Sequence, residues 1–294
     1  MRRRPPSAGR QSLSGTRVWY TSAPFLKWPG GKRWLATRAA EISPVRFGRY
    51  YEPFVGSGAM FFALRPRAAV LSDVSEELIN CYQQIQEDWS IIWDGLVDYA
   101  LNHSGALYYN VRATEPRERG DRAIRFLYLN RASFNGIYRV NRSGKFNVPK
   151  GSKSVLIYPY DNFQEVSEAI AGVDFRCSDF EALIDEAREG DFVFCDPPYS
   201  VAHNRNGFIK YNDKLFSWSD QIRLRDALVR AHTRHVFALL SNADFPGIRE
   251  LYRVKGFGCT PLSRRSVISA KAAARGTYGE VLISNYPLRV DGPE

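Results

Sequence analysis

Residues 49–73 read RYYEPFVGSGAMFFALRPRAAVLSD, and this stretch decides the fold class. Aromatic and apolar residues crowd 49–54 into a short strand, which Gly56-Ser57-Gly58 ends in a tight turn. Residues 59–64 open a helix, 69–72 form a second apolar strand, and Asp73 closes it. Strand, glycine turn, helix, strand and acid, in that order, begin a doubly wound α/β nucleotide-binding sheet. Position 61 is Phe, so the dinucleotide pattern GxGxxG is incomplete. The turn therefore suits a nucleoside ligand without a pyrophosphate better than NAD or FAD. Asp73 lies fifteen residues beyond Gly58, placed to accept hydrogen bonds from ribose hydroxyls. A helix N-cap is the competing reading for it.

Outward from this unit, Phe25-Leu26-Lys27-Trp28-Pro29-Gly30-Gly31-Lys32 is turn-rich, and 33–42 reads as a helix. A helix over 74–87 follows Asp73. From 88 to about 175 the alternation breaks into helical segments and a loop-rich stretch, 135–154, which reads as an inserted second lobe. The α/β rhythm resumes with a helix over 180–189, a strand over 191–195, a helix over 219–233 and a strand over 235–240. A mostly helical stretch covers 245–254. Two late strands, near 261–268 and 280–286, read as an antiparallel hairpin at the sheet edge. The expected organisation is a disordered basic tail over 1–24, a catalytic sheet domain from 25–87 and 176–294, and an insert over 88–175.

The sharpest local motif is Asp196-Pro197-Pro198-Tyr199, directly after the apolar strand Phe192-Val193-Phe194-Cys195. Composition alone would produce it about two or three times in a thousand chains of this length. A proline-rich turn capping a strand is the plain reading, but this turn sits at the carboxyl end of a sheet strand, where α/β folds place their sites. An aromatic amine such as the adenine NH₂ is a poor nucleophile, because its lone pair is delocalised into the ring. Two acceptors on its hydrogens draw the nitrogen towards sp³ and aim the lone pair outward. Asp196 offers a carboxylate and Pro197 a main-chain carbonyl, held by two restricted residues. Tyr199 offers a flat face for an extruded base.

The net charge is +10 over 294 residues, which points first to a polyanionic partner. Forty aromatic residues exclude global disorder, and no apolar run is long enough to cross a membrane as a helix. Cys81, Cys177, Cys195 and Cys259 form no CxxC pair, and with four histidines the chain offers no metal site. This chemistry fits a reducing, cytoplasmic setting.

Together these residues resemble the Dam-type adenine-N6 DNA methyltransferases of the alpha arrangement, in which the cofactor motif comes first, a target-recognition insert second and DPPY third. The resemblance covers nearly all of 24–287. FLKWPGGK at 25–32 is similar to the family's FLKWxGGK, FLYLNRASFNGIYRVNRSGKFNVP at 126–149 to its recognition block, and Arg264-Arg265-Ser266 to the start of its final hairpin. The resemblance implies a Rossmann-like S-adenosylmethionine-dependent sheet with a mainly helical and loop recognition insert. S-adenosyl-L-methionine is the implied cofactor and double-stranded DNA the partner, with the chain acting as a monomer. Trp28 and Lys32 would line the cofactor pocket, Lys32 near its carboxylate. Gly56 and Gly58 would pass beneath its amino-acid portion, and Asp73 would hold the ribose. Asp196 would touch both cofactor and target amine, since in-line methyl transfer requires the two sites to abut. Taken singly, Trp28 reads as packing and Lys32 as a solvated cation at a helix start.

The stretch 122–153 holds eight Lys or Arg, no Asp or Glu, and the aromatics Phe126, Tyr128, Phe134, Tyr138 and Phe146. Such a composition suits phosphate contacts and groove readout. By the resemblance, Phe134, Asn135, Ile137, Arg139 and Pro149 meet the bases, Lys27 reaches one as well, and the expected site is GATC. Ser133, Phe134 and Tyr138 depart from the family pattern. Two other readings stay open on the sequence alone: a cytosine-N4 methyltransferase, which more often carries Ser in place of Asp196, and a catalytically idle DNA-binding protein on the same scaffold.

Overall fold

A computed structural model describes residues 24–141, 143–199, 216–265 and 277–289. The proposed basic tail and the loop between the late strands fall outside the described residues. Seven strands form one sheet: β1 (Tyr50–Glu52), β2 (Ala69–Asp73), β3 (Asp174–Cys177), β4 (Phe192–Cys195), β5 (Phe237–Ala243), β6 (Gly258–Arg265) and β7 (Thr277–Ser284). Their spatial order is β3-β2-β1-β4-β5-β7-β6. The first five strands in that order run parallel, and β7 is antiparallel to both its neighbours. This is the mostly parallel, Rossmann-like sheet that the sequence reading implies. The order reverses between β1 and β4, so their carboxyl ends open a crevice at the switch point where ligands bind in such sheets.

Side chains alternate across the sheet and feed two cores. Phe192, Phe194, Leu239 and Leu282 enter one, and Val193, Cys195, Leu240 and Ile283 the other. The first core is covered by α3 (Ala59–Leu64), α4 (Glu76–Leu101), α6 (Arg119–Ala132) and α7 (Phe163–Ile170), with α1 (Arg33–Ala36), α2 (Ala39–Ile42) and α5 (Gly105–Ala113) at its margins. The second is covered by α8 (Phe180–Glu186), α9 (Trp218–Thr233) and α10 (Pro246–Leu251). A capping box starts α9: Ser217 Oγ accepts from the Asp220 N–H and the Asp220 carboxylate accepts from the Ser217 N–H.

Three elements differ from the sequence reading. The helix expected over 33–42 is two short helices, because the chain turns at Thr37-Arg38. The helix expected to stop at 87 continues to Leu101. Asp88 breaks its geometry locally (φ −155°, ψ 91°), and its carboxylate caps the next turn by accepting from the Ser90 N–H at 3.0 Å and Oγ at 2.6 Å. The stop signal at Asp88 is thus a kink inside one element. Strand β3 begins within the stretch read as insert, and of its four residues only Phe175 is buried. The late hairpin matches the expectation, pairing from Gly258↔Ser284 to Arg265↔Thr277.

Candidate active site

The turn after β1 lines one wall of the crevice. Gly56 (φ +46°) and Gly58 (φ +66°) both take the left-handed conformation that disfavours any side chain. A Cβ on Gly56 would stand 2.7 Å from the Trp28 ring, and one on Gly58 3.1 Å from the Tyr82 hydroxyl. Tyr82 also donates to the Gly56 carbonyl at 3.0 Å, so helix α4 holds the turn from beneath. Asp73, at the end of β2, accepts from the Gly56 N–H at 3.3 Å and the Ser75 N–H at 3.0 Å. The N-cap of α4 is Ser75, so Asp73 is not the cap; it fixes the chain just before the helix and ties the glycine turn as well. Burial pushes its carboxyl up to about 6, against the pull of the Ser75, Gly56 and Val74 N–H groups. A carboxylate offers about four lone-pair positions, so capacity for further donors remains.

The other wall is the loop after β4, and Lys32 stands at its centre. The Lys32 side chain is only 4% exposed, which rules out a solvated cation. Its ammonium lies 2.9 Å from Asp196 Oδ1 and 3.6 Å from Glu280 Oε2. It donates to the Tyr199 hydroxyl at 2.7 Å and to the Gly30 carbonyl at 3.3 Å. It also lies 4.7 Å from the centre of the Tyr199 ring. Burial alone would favour the neutral amine, but Asp196, Tyr199 and Glu280 outweigh it and hold Lys32 firmly protonated. Burial likewise pushes Asp196 up to about 6; Lys32 lowers it and Glu280 raises it again. Pro197 is buried beneath the acid. Tyr199, expected to present a free face to a base, is engaged by Lys32 through its hydroxyl and ring.

Two acids of this site escaped the sequence reading as site residues. Glu52 ends β1, is 2% exposed, and accepts from the Tyr50 hydroxyl at 2.9 Å. Burial pushes it up to about 8, with the charge of Asp196 adding to the effect. Glu280 lies in β7 among Val281, Leu282 and Ile283 and is 7% exposed. The available signal was an acid in each strand where apolar neighbours predict burial, since such a group needs a partner or a proton.

The recognition candidates gather in one loop. Phe134 is 52% exposed, and its N–H donates to the Pro149 carbonyl at 2.9 Å. Asn135 takes a left-handed conformation (φ +54°). Asn135, Arg139 and Pro149 are exposed and Ile137 is half-buried. Arg139 Nε donates to Asn147 Oδ1 at 3.0 Å, leaving its two terminal nitrogens uncommitted by that contact. Lys27 sits behind this loop. Its Nζ donates to the Arg131 carbonyl at 3.3 Å, and burial, with Arg131 and Arg33 nearby, lowers its pKa. Asn130 bonds both the N–H and the carbonyl of Lys27, at 3.0 and 2.7 Å. Lys27 therefore faces the recognition loop, while its neighbour Trp28 faces the glycine turn.

Much of the basic, aromatic stretch serves the fold and not a surface. Phe126, Tyr128 and Phe146 are buried, and Tyr138 packs between Phe126 and Phe146. Arg122 pairs with Glu76 and Glu77, Arg125 bonds the carbonyls of Val111 and Arg112, and Arg131 is buried against Asp161. Among the described residues, and apart from the carbonyl-bound Arg125, the positive charges of this stretch without an acidic partner reduce to Arg139, Lys150 and Lys153. Lys145 lies 3.8 Å from Glu115.

A family model for the D12 class N6 adenine-specific DNA methyltransferases matches residues 28–267, from the Trp28 wall to the late hairpin. The chain belongs to this family. It is an adenine-specific DNA methyltransferase, which decides against the cytosine-N4 reading. The chain is 36% identical over 272 residues to the type II methyltransferase M1.LlaDCHI of Lactococcus lactis subsp. cremoris, covering 90% of this chain and 95% of that one. It is 31% identical over 242 residues to the DNA adenine methylase of Haemophilus influenzae, covering 78% and 82%. It is also 36% identical over 262 residues to the DNA N-6-adenine-methyltransferase of Escherichia phage P1; there the match spans 88% of this chain and 35% of the phage protein. No described helix is long and apolar enough to cross a membrane, and no cluster of metal-ligating side chains occurs among the described residues.

Proposed function

We propose that this methyltransferase uses S-adenosyl-L-methionine and acts on an adenine turned out of duplex DNA, within GATC. The observation that carries the reading is the meeting of both walls at one switch point. The glycine turn after β1 and Asp196 after β4 face the same crevice, and the 25–32 segment contributes Trp28 to one wall and Lys32 to the other. The residues fit the cofactor. Trp28 and the bare backbone of Gly56 and Gly58 form a cradle that a Cβ would fill. Asp73 can take ribose hydroxyls, and Lys32 can take a carboxylate by giving up its 3.3 Å bond to the Gly30 carbonyl. S-adenosylmethionine would supply, when bound, a methyl group made electrophilic by its sulfonium.

In this reading Asp196 accepts one hydrogen of the adenine N6 amine and the Pro197 carbonyl accepts the other, aiming the lone pair into the crevice. Lys32 holds Asp196 in position, and Tyr199 walls the base pocket. Phe134, Asn135, Ile137, Arg139, Pro149 and Lys27 read the flanking bases, with Arg139 suited to a bidentate guanine contact. The 88–175 region serves as the recognition insert on the 25–87 and 176–294 catalytic domain. GATC rests on the resemblance of the 126–149 block.

The test is incubation with labelled S-adenosylmethionine and an unmethylated random-sequence plasmid library, followed by nucleoside analysis and modification-sensitive sequencing. N6-methyladenine confined to GATC is expected. Asp196→Ala should abolish methylation while keeping most of the DNA affinity. Normal turnover by that variant would overturn the role of Asp196.

A further inference from the structure

Two carboxylates and one ammonium occupy the deepest part of the crevice. Because β7 runs against the other strands, its early residues lie level with the carboxyl ends of the parallel ones; Glu280 pairs with Ala243, the last residue of β5. This reversal delivers Glu280 to within 3.6 Å of the Lys32 ammonium, which also lies 2.9 Å from the DPPY loop's own acid, Asp196. An ammonium has three N–H groups. Tyr199, Asp196 and Gly30 accept them at 2.7, 2.9 and 3.3 Å, and Glu280 draws on the same charge at 3.6 Å. A carboxylate paired with a lysine of its own is largely neutralised and is a weaker acceptor for anything else. With a second carboxylate sharing that lysine, Asp196 keeps acceptor strength for another donor.

We propose that Glu280 is a positioning residue for methyl transfer, holding the Lys32 ammonium partly off Asp196 so that Asp196 can accept from the target amine. This rests on the reading of Asp196 as the amine acceptor. The placement of Glu280 argues for such a role, since the reversed strand brings a second carboxylate within 3.6 Å of the ammonium that Asp196 also holds. Among the described residues, the charged and titratable groups that interact with Asp196 are Lys32 from the segment before α1, Tyr199 from its own loop, Cys195 at the end of β4, Glu280 from β7 and Glu52 from the end of β1. Of these, Glu280 opposes ionisation of Asp196 and Lys32 favours it.

The experiment is the single-turnover methylation rate of Glu280→Gln as a function of pH, with cofactor and DNA saturating. The plateau should fall about tenfold, the loss expected when a hydrogen bond to a charged acceptor weakens. The acid limb should move about half a pH unit lower than in the unaltered enzyme, because Lys32 then pairs with Asp196 alone. Glu280→Asp, which keeps the charge one methylene further back, should restore most of both. A lower rate with an unmoved limb would mean a merely structural role and would overturn the proposal, as would an unchanged rate. If the Gln variant does not fold, Glu280→Ala, which removes the charge altogether, is read in the same way, and an unmoved limb there overturns the proposal. Asp196→Ala run in parallel separates the two readings. Residual turnover there sinks the acceptor role itself, whereas a dead Asp196→Ala beside an unshifted Glu280→Gln sinks only the role of Glu280.

Discussion

Asp161→Ala isolates a buried ion pair that joins the 25–32 segment to helix α6. Arg131 in α6 and Asp161 before α7 are 0% and 1% exposed and meet through two parallel bonds, at 2.5 and 2.7 Å. The same guanidinium donates to the Leu156 carbonyl at 2.8 Å and the Phe25 carbonyl at 3.1 Å, and Asp161 also accepts from the Tyr158 N–H at 2.6 Å. Removing the carboxylate leaves the arginine charge buried with two carbonyls only. Breaking a buried pair in this way costs about 3–5 kcal/mol, a large share of the roughly 5–15 kcal/mol that holds a domain together. Urea unfolding followed by tryptophan fluorescence should show that loss. The double variant Arg131→Met/Asp161→Leu should recover most of it, because the cost lies in the stranded charge and not in the missing contact. Where Asp161→Ala does fold, loosening of 25–28 should lower kcat/KM on DNA beyond the fraction unfolded. A destabilisation under about 1 kcal/mol, or a double variant as unstable as the single, would refute the argument.

Three further outcomes follow from the geometry. Gly56→Val should cost at least about 1–3 kcal/mol of backbone strain and drive a side chain into Trp28; calorimetry should find cofactor binding lost while the melting temperature of the free protein falls only modestly. Arg139→Ala should relax preference at one base pair by about 1–3 kcal/mol, read by sequencing of methylated libraries, and an unaltered preference would count against it. Glu52 is held up to about 8, far above an unfolded carboxyl. The stability it contributes as a neutral acid is therefore complete below about pH 4.5 and lost as the pH rises towards 8. Glu52→Gln should gain on the unaltered protein across that window, by up to about 1.4 kcal/mol per pH unit, and parallel melting curves at pH 5 and 8 would contradict this.

The chain declares its glycine turn and its DPPY loop openly, since both depend on short-range chemistry: glycines where φ is positive, and prolines that restrict the backbone. The strands carrying them were legible from their apolar runs. Strand β3 was not, because Asp174, Arg176 and Cys177 flank a single buried Phe175 at the sheet edge and leave no pattern. The end expected at residue 87 failed for a related reason: Asp88 is a true local cap, but the long-range packing of α4 against α6 and α7 carries the helix past it. The basic, aromatic stretch misled in the opposite direction. Composition cannot tell Arg131, clamped on Asp161, from Arg139, which is exposed. Glu280 could be linked to Lys32 only through the reversal of β7, a relation across 248 positions that no local pattern encodes.

The long helix α4 has a consequence for how such enzymes diversify. The chain leaves the sheet along α4 and returns along α7, and Gln86 fastens the two by donating to the carbonyls of Ile170 and Val173 at 2.6 and 2.9 Å. The departing and returning ends are thus pinned together independently of what lies between. Drift or exchange of the intervening detour leaves the order of the strands untouched, provided Asn130 and Arg131 keep their grip on Phe25 and Lys27. On the proposed assignment of that detour to base recognition, the bases that are read and the chemistry that is done can then change on separate evolutionary clocks.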